Sequence, residues 1–348
     1  MPFAPPKEQE LKAPFPWFGG KSKVSSIIWA RFGSTNKPGK SGDACIDNYI
    51  EPFAGSLAVL LGRPTDTITP TMIETVNDFD CYVSNFWRAL KNDPEQLAFH
   101  ADYPVIEADL VARNNWLVEN RPAVREKVMA DPDYYDIKVA AWWVWGMSQW
   151  IGGGFCDKKV NIKLPHLGGG EGINSRGKVN RYRQDSRVLE DGENLFTLRG
   201  LTIKDRFLKL STRLATVRVA CGDWRRVLGE SVTVGNGITG ILLDPPYSTG
   251  EHSVKYAGDT HQAGKRDIAD EVREWAIEAG NCARVRIALC GYISEQHAMP
   301  DDWEAVAWKA TGGYGNQGEG RGRENAGRER IWFSPGCEKR QPGLFDSM

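Results

Sequence analysis

The apolar positions of this 348-residue chain fall into short runs, and most runs end at glycine, proline or an acid. Branched apolar runs such as Ile241–Leu243 predict buried strands, and the alternation from Val217 predicts another strand. The pattern of Arg266–Gly280 predicts an amphipathic helix. Strands are predicted within residues 48–51, 74–78, 217–222, 241–243, 284–292 and 330–335, with helices after 55, at 81–90 and at 266–280. This alternation is typical of an α/β fold.

From Asn92 to about Arg199 the pattern changes. Asp131 and Pro132 fit the N-cap and first turn of a helix that runs through Trp145. Its tryptophans are predicted to pack in the core and not to stack on bases. A polar, glycine-rich stretch without periodicity follows. We therefore predict one domain made of residues 1–91 and 200–348, interrupted by an insertion at 92–199.

Composition excludes several classes of protein. The net charge is −1, so a nucleic-acid surface must be a local patch. Seven cysteines without a C-x-x-C pair argue against a zinc ribbon or a redox pair, and no metal is expected. Their spacing fits a reducing cytoplasm. The longest apolar run, Val139 to Phe155, is interrupted by polar residues and glycines, so no membrane partner is expected.

The clearest chemical signal is Asp244-Pro245-Pro246-Tyr247, directly after a predicted strand. The two prolines end the strand and present an acid, two carbonyls and an aromatic ring at its carboxyl end, where open α/β sheets bind ligands. The Asp244 carboxylate and the Pro245 carbonyl can accept both N–H bonds of an amine on a flat ring, which frees the nitrogen lone pair. Tyr247 can stack on that ring. This set suits alkylation of an exocyclic amine.

Near the N-terminus, Gly19-Gly20-Lys21-Ser22 suggests a phosphate-binding loop but does not fit one. A Walker A motif requires glycine five positions before Gly-Lys-Ser, and position 15 is Phe. The second Gly-Lys-Ser, at 39–41, fails in the same way, because position 34 is Ser. A P-loop NTPase is therefore rejected.

Three further strand ends carry candidate ligand-binding groups. Glu51–Gly55 leads through a glycine turn into a helix, although any βα turn would look alike. Asp78 follows the second strand, where an acid grips a ribose or caps a helix. Asp223 and Trp224 end the strand that begins at Val217. Asp223 can accept a hydrogen bond from the amino group of an adenine, and Trp224 can stack on its ring.

Together these motifs resemble the Dam-like DNA adenine-N6 methyltransferases, the D12 class with the alpha motif order. The resemblance covers roughly residues 14–90 and 200–335. It implies a Rossmann-like methyltransferase sheet with an inserted, mainly helical and loop target-recognition domain at 92–199. It also implies S-adenosylmethionine as cofactor, bound by Trp17, Gly19, Gly20, Lys21, Glu51, Pro52, Phe53, Gly55, Asp78, Asp223 and Trp224. Leu57 departs from the pattern, because many members have glycine there.

The partner that the resemblance implies is double-stranded DNA with the target adenine flipped out of the helix, bound by a monomer. A basic segment can follow the phosphate backbone, although a solvated loop would look the same. Its bases are Arg176, Lys178, Arg181, Arg183 and Arg187.

Several alternatives stay open. Cytosine-N4 methylation poses the same chemical problem as adenine-N6 methylation. Methylation of RNA or of a protein amide is a further rival, and a catalytically idle DNA-binding protein is a rival of another class. Cytosine-C5 methylation is excluded, because it needs a nucleophilic cysteine after proline and the chain has no Pro-Cys pair.

Overall fold

The structure is a computed structural model of the chain. It describes residues 11–15, 17, 20–33, 45–69, 71–104, 106–151, 155–159, 172–173, 203–246, 267–293, 299–308 and 329–339. Among these residues, no helix combines the length and apolar character that crossing a membrane requires.

The centre of the fold is a seven-stranded, mostly parallel sheet. Its strands are β1 (Asn48–Glu51), β2 (Ile73–Asp78), β5 (Arg218–Cys221), β6 (Thr239–Leu243), β7 (Val285–Tyr292), β8 (Glu304–Ala307) and β9 (Glu329–Phe333). They lie in the order β5-β2-β1-β6-β7-β9-β8. The first five in this order are parallel, and β9 is antiparallel to both of its neighbours. This arrangement is compatible with a Rossmann-like fold.

Helices cover both faces of the sheet. They are α1 (Ser25–Arg31), α2 (Ala58–Leu61), α3 (Cys81–Asn92), α4 (Pro94–Ala101), α5 (Glu107–Ala130), α6 (Ile137–Gln149), α7 (Ile203–Leu214), α8 (Glu230–Thr233) and α9 (Ile268–Gly280). A two-stranded sheet of β3 (Trp150–Ile151) and β4 (Gly172–Ile173) lies outside the main sheet.

The strands place alternate side chains in two separate cores. Leu242 and Cys290 pack with α1 and α3 in the larger core. Leu243 and Leu289 pack with α9 in the smaller core on the opposite face. Because neighbouring residues of a strand point to opposite faces, both faces of β6 and β7 are apolar. That is why these segments are continuous apolar runs in the sequence.

Helices α4 to α6, which come from the predicted insertion, pack directly on the helices of the sheet domain. Buried residues of α4, α5 and α6 belong to the same core cluster as α1 and α3. Arg88 on α3 links these regions, because its guanidinium donates to the carbonyls of Val219, Val128 and Asp131 at 2.9–3.2 Å.

The predicted strands are confirmed, but the start of α6 was predicted five residues too early. The helix begins at Ile137, with Asp136 as N-cap accepting from the Val139 amide at 2.9 Å. Asp131 instead ends α5, and its side chain accepts from the Asp133 amide. Either acid could serve as an N-cap. Asp131 does not, because α5 extends to Ala130 and Asp131 is the C-cap of that helix. The tryptophan prediction holds for Trp143 and Trp145, which are buried, whereas Trp142 is only partly buried.

Candidate functional site

The sheet topology brings the sequence motifs to one edge. The carboxyl ends of the five parallel strands share that edge, and the strand order reverses direction between β1 and β6. Such a reversal opens a crevice where ligands bind in open α/β sheets. Glu51–Gly55 follows β1 at this point, and Asp244 follows β6. Asp78, the last residue of β2, and Asp223, which follows β5, lie at the same edge.

Asp244 is held by an ion pair with Lys21. The Lys21 ammonium lies 2.8 Å from Asp244 Oδ2, and the two side chains are 3% and 22% exposed. The same ammonium lies 5.3 Å from the centre of the Trp308 ring. Burial lowers the pKa of Lys21, but the charge and the hydrogen bond of Asp244, together with other nearby acidic groups, outweigh burial and raise the pKa above its ordinary value. Lys21 is therefore a permanent cation that orients the Asp244 carboxylate.

Pro245 is buried and Pro246 partly buried, as expected for prolines that end a strand inside the fold. Tyr247, the last residue of the motif, lies outside the described residues, as does Gly19. All five bases of the predicted DNA-binding segment lie outside them as well: Arg176, Lys178, Arg181, Arg183 and Arg187.

Glu51 is a second carboxyl group in the crevice. It is 3% exposed and accepts a hydrogen bond from the Tyr49 hydroxyl at 3.0 Å. Burial raises its pKa to about 8, against the effect of the Tyr49 bond, and the nearby Asp244 charge adds to the rise. Glu51 is thus largely protonated at neutral pH and would ionise readily beside a cation. Pro52, which follows it, is buried.

The glycine turn after β1 packs closely against the ring of Trp17. Gly55 has a φ of +45°, and a Cβ built on it would lie 2.3 Å from Trp17 Nε1. Only glycine therefore lets Trp17 approach this turn. Gly20 is exposed, and a Cβ there would meet nothing closer than 3.6 Å. The helix that follows the turn, α2, has only four residues. Its N-terminus is therefore a weaker site for a polar ligand than the sequence predicted.

Asp78 lies at the carboxyl end of β2 and is partly buried. Its two oxygens accept from the Gly55 and Asp80 amides, each at 2.8 Å. Burial raises its pKa to about 7, although these bonds lower it. Asp78 therefore shapes the glycine turn.

Phe79 was missed by the sequence reasoning. Its ring is 42% exposed, and the Arg125 guanidinium lies 4.5 Å from the ring centre. Met129, 40% exposed, lies nearby at Gly222. An exposed aromatic ring beside a partly buried acid is a surface suited to a flat ligand. The available signal was an aromatic residue directly after a strand-ending acid.

Asp223 is exposed, as a ligand-binding acid should be, whereas Trp224 is not. The Asp223 side chain caps the following turn by accepting from the Arg225 amide at 2.9 Å and also pairs with the Arg225 guanidinium. Trp224 is 4% exposed and packs between Phe53 and Trp275. Its indole nitrogen has no hydrogen-bond partner among the described residues. The partly buried Phe53 is the more accessible ring of this pair.

No protein-family model matches this chain, and no curated protein matches it either. The described residues contain no group of three or more His, Cys, Asp or Glu side chains suited to a metal ion.

The groups at this edge suit a ligand that carries both hydrogen-bond donors and positive charge. Asp78 and Asp223 offer acceptors to hydroxyl and amino groups. Glu51 and Asp244 lie at the carboxyl ends of the neighbouring strands β1 and β6, and Lys21 is paired with Asp244. Asp244 remains 22% exposed, so its carboxylate is not fully enclosed by the fold.

Proposed function

We propose that this chain transfers a methyl group from S-adenosylmethionine to the exocyclic N6 of adenine in DNA. The observation that carries the proposal is Asp244. Its carboxylate stands where the strand order reverses, is oriented by Lys21, and is followed by the Pro245 carbonyl. This is the acceptor pair that the chemistry of an exocyclic amine requires.

The chain's own residues support binding of this cofactor. Asp78 and the exposed Phe79 lie together after β2, where a ribose and a flat ring would fit. Asp223 offers an acceptor to an adenine amine. When bound, S-adenosylmethionine supplies an electrophilic methyl group on a sulfonium cation. The Asp244 carboxylate favours a cation at the centre of the crevice, and a cation there would in turn favour ionisation of Glu51.

Asp244 and Pro245 then act on the target amine. Accepting its two N–H bonds draws the nitrogen toward tetrahedral geometry and frees its lone pair for attack. As the methyl–sulfur bond breaks and the methyl–nitrogen bond forms, positive charge would develop on this nitrogen, where the Asp244 carboxylate stabilises it. The nitrogen would then release one proton to solvent, which restores a neutral amine. The target base must leave the duplex to reach this position, as base-modifying enzymes generally require. Tyr247 is proposed to stack on the flipped base.

The direct test is transfer of radiolabelled methyl from S-adenosylmethionine to DNA, followed by digestion and separation of the nucleosides. N6-methyl-2′-deoxyadenosine as the main labelled product is expected. N4-methylcytosine would replace the proposed base by its nearest rival. Label only in RNA or protein would overturn the substrate class, and no label with bound DNA would favour the idle DNA-binding protein.

Asp244→Asn separates chemistry from binding. It keeps the size of the side chain and one carbonyl acceptor but removes the negative charge. Loss of one preorganised electrostatic contact slows the chemical step by about 10²–10³. We expect this fall in single-turnover transfer at saturating DNA and cofactor, with DNA affinity largely kept, because phosphate contacts supply much of it. A rate within threefold of wild type would remove Asp244 from the mechanism.

A further inference from the structure

Glu329 is a buried carboxyl group that the proposed chemistry does not yet use. It begins β9 and is 6% exposed, and its Oε2 has no hydrogen-bond partner among the described residues. An unpaired buried carboxylate oxygen is costly, so its presence calls for a reason. Its position in the sheet supplies one.

Strand register places Glu329 near Asp244, on the same face of the sheet. Glu329 pairs with Tyr292, and Ile331 pairs with Cys290, across β7 and β9. Cys290 and Ile331 belong to the core cluster on the Lys21 side of the sheet, and alternation puts Glu329 on that side too. Leu243 pairs with Leu289, so Asp244 follows directly beside Cys290.

The charges of two carboxyl groups thus act on one ammonium. Lys21 bonds Asp244 directly, and its charge also reaches Glu329. Burial raises the pKa of Glu329, Lys21 lowers it, and Asp244 raises it, with a net rise. With both carboxylates ionised, the three groups carry a charge of −1; with Glu329 protonated, they carry none.

The other charged or titratable groups around Glu329 do not supply this charge. Burial raises the pKa of the Cys290 thiol well above its ordinary value, so it stays neutral. Glu51 is largely protonated at neutral pH. Tyr292 is the neighbour of Glu329 on β7, and Arg330 donates to the Glu329 backbone carbonyl at 2.8 Å.

We propose that Glu329 is a positioning residue that acts through Lys21: it balances the lysine charge, so that Asp244 presents a net negative site to a cation. This inference rests on the proposed function and deepens it. A methyl donor is cationic before transfer and neutral afterwards. Glu329 therefore favours the loaded cofactor over the spent one and stabilises the positive charge that moves to the amine.

The test compares the affinities of S-adenosylmethionine and its demethylated product, S-adenosylhomocysteine, by calorimetric titration. The two ligands differ by the methyl group and its positive charge. In Glu329→Gln, we expect S-adenosylmethionine to bind about tenfold more weakly, whereas the product binds within twofold of wild type. An equal change for both ligands, or no change for either, overturns the inference.

A matched control is Glu304→Gln, on the neighbouring strand β8. Glu304 pairs with Arg31 at 2.7 Å and is 41% exposed. Its replacement should leave the ratio of the two affinities unchanged. Glu329→Asp keeps the charge on a shorter side chain and should restore much of the wild-type ratio. If Glu329→Gln does not fold, Glu329→Asp becomes the test. A roughly tenfold loss of affinity for S-adenosylmethionine relative to the product in this charged variant would contradict the proposal.

Single-turnover transfer gives a second readout. The rate in Glu329→Gln should fall about tenfold and lose part of its rise with pH, since ionisation of Glu329 no longer contributes. If the wild type binds neither ligand and transfers no methyl group, the proposed function fails. If the wild type does both and Glu329→Gln matches it, only the present inference fails.

Discussion

Leu57 combines an unfavourable backbone with a buried side chain. Its φ is 54°, in the left-handed region that favours glycine, and its side chain is fully buried. The conformation costs about 1–2 kcal/mol for a non-glycine residue, whereas truncating a buried leucine costs about 2–5 kcal/mol. Burial therefore outweighs strain, which explains how leucine occupies a position whose backbone conformation favours glycine.

Two variants of Leu57 test this balance. Leu57→Ala loses the burial and keeps the strain, whereas Leu57→Gly loses the burial and relieves the strain. We expect Leu57→Gly to be more stable than Leu57→Ala by about 1 kcal/mol in denaturant unfolding. Leu117, buried inside α5, is the matched control, and there the alanine variant should be the more stable by about 1 kcal/mol. If the glycine and alanine variants had the same order of stability at both positions, the backbone strain assigned to Leu57 would be contradicted.

Glu51 gives the protein a pH dependence of unusual sign. Its pKa in the folded protein is about 8, above the ordinary 4.5, so the folded state holds a proton that the unfolded state releases. Stability is then greatest below pH 4.5 for this group and falls as pH rises toward 8, by up to about 4 kcal/mol. Asp78, with a pKa of about 7, acts in the same direction.

Replacing Glu51 by Gln should flatten this dependence. Gln keeps the size of the protonated group but cannot ionise. We expect the free energy of unfolding to fall less between pH 5 and pH 8 in Glu51→Gln than in wild type, measured by urea titration at each pH. Equal slopes for the two proteins would show that Glu51 ionises in the folded state as it does in water.

At the scale of elements, one buried acid joins three parts of the fold. Glu74 on β2 forms an ion pair with Arg63 at 3.1 Å. Arg213 on α7 donates hydrogen bonds to both Glu74 carboxylate oxygens, at 2.7 and 2.8 Å. The Glu74 and Arg63 side chains are at most 3% exposed, and that of Arg213 is 9% exposed. Arg63 also lies over the Trp29 ring.

Removing the Glu74 charge leaves two buried guanidinium groups without their counter-ion. We expect Glu74→Gln to lower the free energy of unfolding by about 3–5 kcal/mol. Glu95→Gln is the matched control, because Glu95 pairs with Lys204 at 3.1 Å where both side chains are more than half exposed. That change should cost no more than about 1 kcal/mol. Similar losses in both variants would mean that burial adds nothing to the Glu74 network.

The elements differ in how far the sequence could predict them. The buried strands β6 and β7 were predictable, because continuous branched apolar runs ending at proline or glycine have few alternatives. Strand β8 was not, because Glu304–Ala307 is short and alternates between partial and full exposure on the sheet edge. The length of α5 was hidden by Pro122, which lies inside the helix.

The site follows the same division. Strand ends carry Asp78, Asp223 and Asp244, so their shared edge could be predicted from topology alone. The pairing of Lys21 with Asp244 could not, because it joins positions 223 residues apart (244 − 21). Glu329 was missed for a related reason: it enters the site through an antiparallel strand that no motif marks.

At the scale of the whole molecule, the described part of the insertion shares its core with the sheet. Residues of α4 to α6 pack in one cluster with α1 and α3, and Arg88 ties β5 to the end of α5. We therefore expect cooperative unfolding, with amides of α5 and α6 exchanging hydrogen at the same free energy as those of β1 and β2. Mass-spectrometric hydrogen exchange measures this, and markedly weaker protection of α5 and α6 would indicate an independent unit.

Phe15 sets a practical limit on shortening the protein. It precedes the first helix, yet it is 1% exposed and lies among the rings of Trp17, Phe86, Trp87 and Trp143. A truncation that removes it would open a cavity between α3 and α6 and expose aromatic surface to solvent. An expression variant trimmed back to α1 should therefore aggregate, whereas one that begins at residue 11 keeps this aromatic cluster intact.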